Sequence, residues 1–483
     1  MTDSAPKLDR KARLQLPPVY ACERDPAERL GDFDEITRLH IPKEAIAEAA
    51  RCLQCPNAPC QTACPLHNDI PRALALLSAG QFIEAALVYR ETNPFPEING
   101  RVCPDYYCQD ACTLNKLGKP IDTRHLEAFL ADYVAHCEEL PLPERAPLTG
   151  KRIAVVGAGP AGLTVAEWLT LRGHHVTVYE QNPAPGGLLV YGIPAFKLSP
   201  RRAQEKTGYL TSLDVEFICG VRIGQDVMLP HLLETYDAVF LGVGAQRNIR
   251  PELPGEALHG VIDAVEFLVR AGACGAHLPS AWAAPLDIGP RVHVLGAGGT
   301  AMDCLRTALR LPSVTEATCY YRRSEAEMPS PHEDFRHAQE EGAQFVWLAS
   351  PRAFLGDTEG RLRAVRYQHM ELGPPDDSGR RRPVPIPDQE ITVEADTVVL
   401  ALGYGPDPTM QTGLPELQVD RRQRILVDTR ATGRTSVPGL FAAGDVVRGA
   451  DMIAPAVADA LGVAQTIAAY LTAPEAPWPT PQT

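Results

Sequence analysis

From Lys151 onward, short apolar runs alternate with segments of helical character. Ile153 to Val156, His175 to Tyr179, Tyr236 to Gly244, Val292 to Leu295, Ala395 to Gly403 and Val437 to Ala443 are rich in valine, leucine, phenylalanine and alanine. Most lack the regular polar alternation of a strand with one wet face. Such runs predict parallel strands covered on both faces, and their alternation with helices predicts an α/β architecture. The chain before Lys151 has a different texture. Residues 1–50 are polar and then helical in pattern, with Gly31 to Ile36 expected as a packing or interface arm. Ile70 to Arg90 predicts one or two helices. Residues 138–150, EELPLPERAPLTG, are proline-rich without an apolar period and predict a linker. Residues 351–395 are uneven, with GPPDDSGRRRPVPIPD (373–388) expected as an exposed hairpin or loop. Ala454 to Leu471 is the most apolar late segment, but Asp459 and Gln465 favour a buried helix over a membrane span.

Length and charge narrow the class. A chain of 483 residues has room for two to four domains. A formal net charge of -14 argues against nucleic acid as the main partner. MTDSAPKLDRKARLQL has charges but no apolar targeting core, so a cytoplasmic location away from membranes is expected. Of thirteen cysteines, seven fall between Cys52 and Cys112, while Cys22, Cys137, Cys219, Cys274, Cys304 and Cys319 are scattered. An odd total without a signal segment fits a reducing compartment and bound metal better than a disulfide framework.

The run KRIAVVGAGPAGLTVAEWLTLRGHHVTVYE (Lys151 to Glu180) joins strand, glycine turn, helix, second strand and acid in one register. Gly157, Gly159 and Gly162 suit a tight turn, close approach to a pyrophosphate and close helix–strand packing, with the helix start facing the phosphates. Glu180 stands where a ribose-binding carboxylate is expected. Pro160, Ala161 and Gln181 complete the expected contacts, and Gly187 with Leu188 lets backbone approach a large flat cofactor. Gly244 ends another buried run at a point where a cofactor could lie over the sheet.

A second loop, RVHVLGAGGTAMD, begins at Arg291. Gly296, Gly298 and Gly299 make the turn, Ala301 takes the last small position, and Thr300 and Asp303 lie in the same stretch. No acid ends the next strand. Arg322 and Arg323 stand there instead, a cationic pair suited to the 2′-phosphate of NADP(H). The second loop is therefore expected to take NADPH and the first a different dinucleotide. Gly403 closes another strand. Gly444 and Asp445 close a third, where an aspartate can accept from a sugar alcohol chain, and read as the second half of a flavin site.

The cysteine module is Cys52-x2-Cys55-x4-Cys60-x3-Cys64-Pro65 followed by Cys103-x4-Cys108-x3-Cys112. Structural zinc takes four ligands per ion, and seven thiolates serve two such sites awkwardly. The C-x3-C-P ending is that of bacterial ferredoxins, in which the fourth cysteine serves the other cluster of a pair. Two [4Fe–4S] clusters need eight ligands, so one ligand is expected not to be cysteine.

These stretches together resemble the small (beta) subunit of bacterial glutamate synthase. They are similarly related to the N-terminal portion of dihydropyrimidine dehydrogenase and to other iron–sulfur flavin NADPH oxidoreductases. The resemblance runs through FPEINGRVCP (Phe95 to Pro104), GGLLVYGIPAFKL (Gly186 to Leu198), TAMDCLRTALR (Thr300 to Arg310), YRRSEAEMP (Tyr321 to Pro329) and FAAGDVVRGA (Phe441 to Ala450). It implies FAD on the first loop, NADPH on the second and two [4Fe–4S] clusters in the module. By that pattern Cys52, Cys55, Cys60 and Cys112 hold one cluster. Cys64, Cys103 and Cys108 hold the other, with Glu127 as the non-cysteine ligand. The family usually carries Asn or Asp where Gly299 stands.

The resemblance further implies an α/β fold: two Rossmann-like dinucleotide-binding domains, for FAD and NADPH, preceded by a helical domain carrying two [4Fe–4S] clusters. The expected division is 1–140 for the iron–sulfur domain, 151–285 for the first part of the FAD domain, 286–400 for the NADPH domain and 401–483 for the second FAD part. The implied function is electron input from NADPH to a large catalytic (alpha) subunit, in a hetero-oligomer, that makes L-glutamate from L-glutamine and 2-oxoglutarate. No catalytic acid or base is expected on this chain. The alternatives are electron input to another acceptor, of the dihydropyrimidine dehydrogenase or ferredoxin:NADP oxidoreductase kind, and a flavin disulfide reductase. The last lacks a C-x-x-C after the first loop.

Overall fold

The strand Arg152–Val156 sends Ile153 and Val155 into one apolar cluster and Ala154 and Val156 into another, so both faces of its sheet are covered. A computed structural model describes residues 9–136, 143–273, 278–376, 379–473 and 478. The strand is central in a five-stranded parallel sheet, ordered Leu440–Ala442, Ala238–Leu241, Arg152–Val156, His175–Glu180 and Glu216–Cys219. The helices Pro160–Thr170 and Ile453–Thr472 lie together on one face. Ile453–Thr472 is long and apolar enough to cross a membrane, yet Val457, Ala460, Val463, Ala464 and Ile467 are fully buried in this cluster.

A second five-stranded parallel sheet is ordered Gln344–Trp347, Glu316–Tyr321, Arg291–Leu295, Thr397–Leu400 and Val261–Asp263. Its last strand lies before residue 286, where the sequence division begins this unit. Three residues are too few to carry a periodic signal. The helix Gly299–Leu309 covers one face through Met302, Leu305 and Ala308. The other face is covered by an antiparallel sheet of Ala349–Gly356, Leu362–Pro375 and Arg381–Glu394, with Tyr367 stacked on Tyr320 at 4.0 Å between ring centroids. The 373–388 stretch is thus the distal part of a long hairpin. Pro383, Pro385 and Pro387 sit on its outer strand, where missing N–H groups break no ladder between strands.

The cysteine module packs the helices Pro42–Ala50, Ile70–Ser78, Phe82–Arg90 and Thr123–Ala135 around Leu74, Leu77, Leu126 and Leu130. The Gly31–Ile36 arm is docked. Ile36 N–H donates to the Phe196 carbonyl at 3.0 Å, and the Phe33 ring stacks on Phe196 with centroids 6.4 Å apart. The guanidinium groups of Arg306 and Arg310 lie 4.3 and 4.2 Å from the Phe196 ring centroid. Both pair with buried Glu341. Arg310 Nε also donates to the Asp32 carbonyl at 3.1 Å, so the arm ties the first nucleotide unit to the second. Cys137, Cys274, residues 138–142 of the expected linker, Asp377 and Ser378 of the hairpin, and parts of both chain ends lie outside the described residues.

Candidate cofactor sites

Gly157 leaves the strand Arg152–Val156 with φ +98°, and Gly159 caps the helix Pro160–Thr170, whose N1 proline needs no N–H partner. A Cβ at Gly162 would lie 1.8 Å from the Gly157 carbonyl oxygen, so only glycine permits this closeness of helix and turn. Over the turn lies a cavity of about 650 Å³. Gly157, Gly159, Pro160 and Ala161 line it beside Glu180, Gln181, Gly187, Leu188, Gly244, Gly444 and Asp445. Gly162 lies beneath the turn. Gly403 lies at the crossing where Tyr404–Gly405 pairs with Arg247–Asn248, and it is Tyr404 that reaches the cavity.

The Glu180 carboxylate accepts from Ala158 N–H at 2.9 Å and from Asn182 N–H and Nδ2 at 2.9 and 2.8 Å. Burial pushes its pKa up, opposed by the Asn182 and Ala158 hydrogen bonds. Asp445 stands at the start of the short helix Asp445–Arg448, and burial lifts its carboxyl to about 7. The cavity therefore offers helix-start N–H groups at one point and two acids at others, with Trp282, Met452 and Ile453 supplying apolar wall. A bulky, partly apolar dinucleotide fits this combination.

In the second loop Gly296 has φ +120°, Gly298 caps Gly299–Leu309, and Thr300, Ala301 and Asp303 lie in the first two turns. Asp303 is engaged within the protein. With Asp334 it flanks the Lys197 ammonium, at 3.1 and 3.0 Å, and burial lifts its carboxyl to about 6 against the pull of Lys197. Lys197 lies in the GIPAFK stretch of the first unit, 137 residues before Asp334, a pairing that only the fold reveals. The arginine pair is divided. Arg323 is buried, donates to the Arg381 carbonyl at 2.8 Å and pairs with Asp376 at 2.5 Å, fastening the hairpin. Arg322 is exposed.

In the cysteine module Cys52, Cys55, Cys60 and Cys112 line one hollow walled by Leu53, Ile70, Leu74, Leu114 and Ile121. Burial lifts the Cys52 and Cys60 thiols to about 11 and about 12, with neighbouring thiols adding to it. Cys64, Cys103 and Cys108 form a second set beside Glu127. Burial raises all three, and the Glu127 charge raises them further. Burial lifts Glu127 itself to about 8, while Asn93 and Asn68 oppose it. Gln54, Ala58 and His67 hold left-handed backbone at φ +51°, +34° and +53° around the first cysteine run. Such strain at non-glycine residues clusters where the surroundings impose a shape. Crowded thiols with an apolar wall repel one another as anions, and bound metal removes that repulsion, so the donor set fits iron–sulfur clusters.

Residues 129–460 match the pyridine nucleotide-disulphide oxidoreductase family, and residues 29–139 match dihydropyrimidine dehydrogenase domain II, 4Fe-4S cluster. The chain is 38% identical over 455 residues to the glutamate synthase [NADPH] small chain of Halomonas elongata, covering 93% of this chain and 96% of that one. The chain belongs to the glutamate synthase small-chain family. Another member of this family, the glutamate synthase [NADPH] small chain of Escherichia coli, is 37% identical over 91% of this chain and 94% of its own. The putative oxidoreductase AegA of Escherichia coli is 39% identical over 91% of this chain and 67% of its own. The structure of Mycobacterium tuberculosis FprA in complex with NADPH superposes with TM-score 0.57 at 23% identity, covering 67% of this chain and 85% of that one, a likeness of fold. As a small-chain family member the protein is an NADPH-dependent oxidoreductase with a 4Fe–4S module and a flavin-and-nicotinamide fold.

Proposed function

We propose that this chain is the NADPH-oxidising, electron-input subunit of a glutamate synthase, serving a large catalytic subunit that makes L-glutamate from L-glutamine and 2-oxoglutarate. The observation that carries this is near full-length similarity to glutamate synthase small chains, 96% of the Halomonas elongata chain being covered. FAD supplies hydride acceptance and single-electron release, and two [4Fe–4S] clusters supply one-electron carriage.

The chain's residues bind and orient. Gly157, Gly159 and the N–H groups of the helix start hold the FAD pyrophosphate, and Glu180 accepts from its ribose. Asp445 accepts from the sugar-alcohol chain, and Trp282 and Met452 exclude water from the apolar side. Gly296 and Gly298 hold the NADPH pyrophosphate, and Arg322 meets the 2′-phosphate. Cys52, Cys55, Cys60 and Cys112 hold one cluster, and Cys64, Cys103, Cys108 and Glu127 the other. No side chain is assigned as acid or base. The protein works in a hetero-oligomer in the cytoplasm, where its thiols stay reduced.

Anaerobic NADPH titration of the purified chain, with iron and sulfide analysis, tests the cofactor set: bleaching of the flavin and about eight irons per chain are expected. Addition of a purified large chain with glutamine and 2-oxoglutarate is expected to produce glutamate at the expense of NADPH. Absence of that coupling, with a reducible flavin and eight irons, favours electron input to another acceptor. The similarity to the NADP(+)-dependent formate dehydrogenase subunit beta of Moorella thermoacetica, 35% identical over 86% of this chain and 60% of its own, supports this second reading.

A further inference from the structure

Glu127 is held unevenly. Its Oε1 accepts two amide donors from separate parts of the module, Asn93 Nδ2 at 2.5 Å and Asn68 Nδ2 at 3.3 Å. Its Oε2 has no hydrogen-bond donor among the described residues. The Asn93 amide is oriented at its other end by a backbone N–H, which can only donate, and the Asn68 amide by the Glu127 carboxylate, which can only accept. Asn93 Oδ1 accepts from Phe95 N–H and from Asn99 Nδ2, each at 2.9 Å, and Asn68 Oδ1 accepts from Thr92 Oγ1 at 2.8 Å. An amide whose oxygen is engaged by donors must present its NH₂ elsewhere, here to the carboxylate. Asn68, Asn93 and Asn99 are at most 3% exposed, so water does not replace these bonds. Side-chain-to-side-chain bonding this dense in a core is demanding, because each unmet polar group is costly there.

We infer that Asn93 and Asn68 are positioning residues for the non-cysteine ligand. They hold the carboxylate through Oε1 alone and leave Oε2 to the Cys64, Cys103 and Cys108 set as a one-oxygen donor. This rests on the two-cluster reading. Two N–H donors on Oε1 draw negative charge away from Oε2, so the ligand donates less to iron, and the reduced form of that cluster is favoured relative to one with an undressed carboxylate. The same chain thus gains two clusters of different potential, one with four thiolates and one with three thiolates and a hydrogen-bonded carboxylate.

The test is EPR-monitored redox titration of the whole chain with iron analysis, comparing wild type, Glu127→Ala, Asn93→Leu and Asn68→Leu. Glu127→Ala marks the signal that belongs to this set. Removal of one charge-assisted hydrogen bond in Asn93→Leu is expected to lower the reduction equilibrium of that cluster about tenfold, about 59 mV for one electron. The longer Asn68 bond predicts a smaller shift of the same sign. The other cluster and the iron content stay unchanged. Unmoved potentials at full iron content, or equal shifts of both clusters, overturn the inference. If Asn93→Leu does not fold, Asn68→Leu decides alone, an unmoved potential overturning it. A wild type with one signal or none overturns the two-cluster reading together with the inference, whereas two wild-type signals with unmoved variants overturn the inference only.

Discussion

Both dinucleotide loops run from a buried parallel strand into a helix, but the third small residue is Gly162 in the first and Ala301 in the second. Beneath the first turn a methyl would strike the Gly157 carbonyl, while beneath the second Ala301 is accommodated and fully buried. Their charged residues differ in the same sense. Glu180 is already secured by three N–H donors. Of the arginines at the second site, one is fastened to the hairpin and the other is exposed. The acid of the first site is already fixed by the fold; on the proposed function the exposed Arg322 of the second is left for the 2′-phosphate to order. Preorganisation of the first kind suits a cofactor held through many turnovers, and an open edge suits a substrate that must leave.

The contrast breaks most severely at the third small position. Gly162→Ala is expected to destabilise the chain by about 3 kcal/mol or more and to abolish bound flavin, read by thermal unfolding and flavin content. Ala301→Gly should cost about 1 kcal/mol and leave flavin content unchanged. Next is Glu180→Gln, which replaces an acceptor-only group with one that presents an N–H to existing donors. A loss of about 1–3 kcal/mol is expected, with weaker flavin retention on dialysis.

The arginines allow a sharper separation. Arg322→Ala is expected to raise KM for NADPH about tenfold, one lost charge-assisted contact, with KM for NADH nearly unchanged. Arg323→Ala should lower the melting temperature through the loosened hairpin, without changing the preference between nucleotides. The opposite pattern would reverse the two roles.

A pH dependence concerns the Lys197 bridge between units. Burial lifts the Asp303 carboxyl to about 6, so the folded chain keeps a proton that an ordinary unfolded carboxylate releases near pH 4. Stability then falls as pH rises from about 4 to about 6 and levels off above that. In Asp303→Asn this part of the slope should disappear, read from urea midpoints across the range.

The nucleotide strands were legible because buried parallel strands are continuous apolar runs, and the glycine turns because only small residues fit them. What escaped depends on distant partners. Arg322 and Arg323 are equal in sequence, and only distant partners, Asp376 and the Arg381 carbonyl, show that one of them is fastened to the hairpin. Asp303 lies in a binding stretch, yet Lys197 and Asp334 claim it. Asn68 and Asn93 carry no motif of their own, since their importance comes from meeting Glu127 across the module. Val261–Asp263 is too short to show a period, while for residues 373–388 the sequence left hairpin and loop open, and the structure forms the hairpin.

The first sheet takes its edge strand from Leu440–Ala442, whereas the second has all five strands by Leu400. During synthesis the second nucleotide unit can close while the first still lacks its outer strand and the Ile453–Thr472 helix. The flavin chamber, begun first by the ribosome, is thus the last to be finished. A nascent chain arrested between residues 400 and 440 should hold a folded nicotinamide unit beside an open, flavin-free sheet.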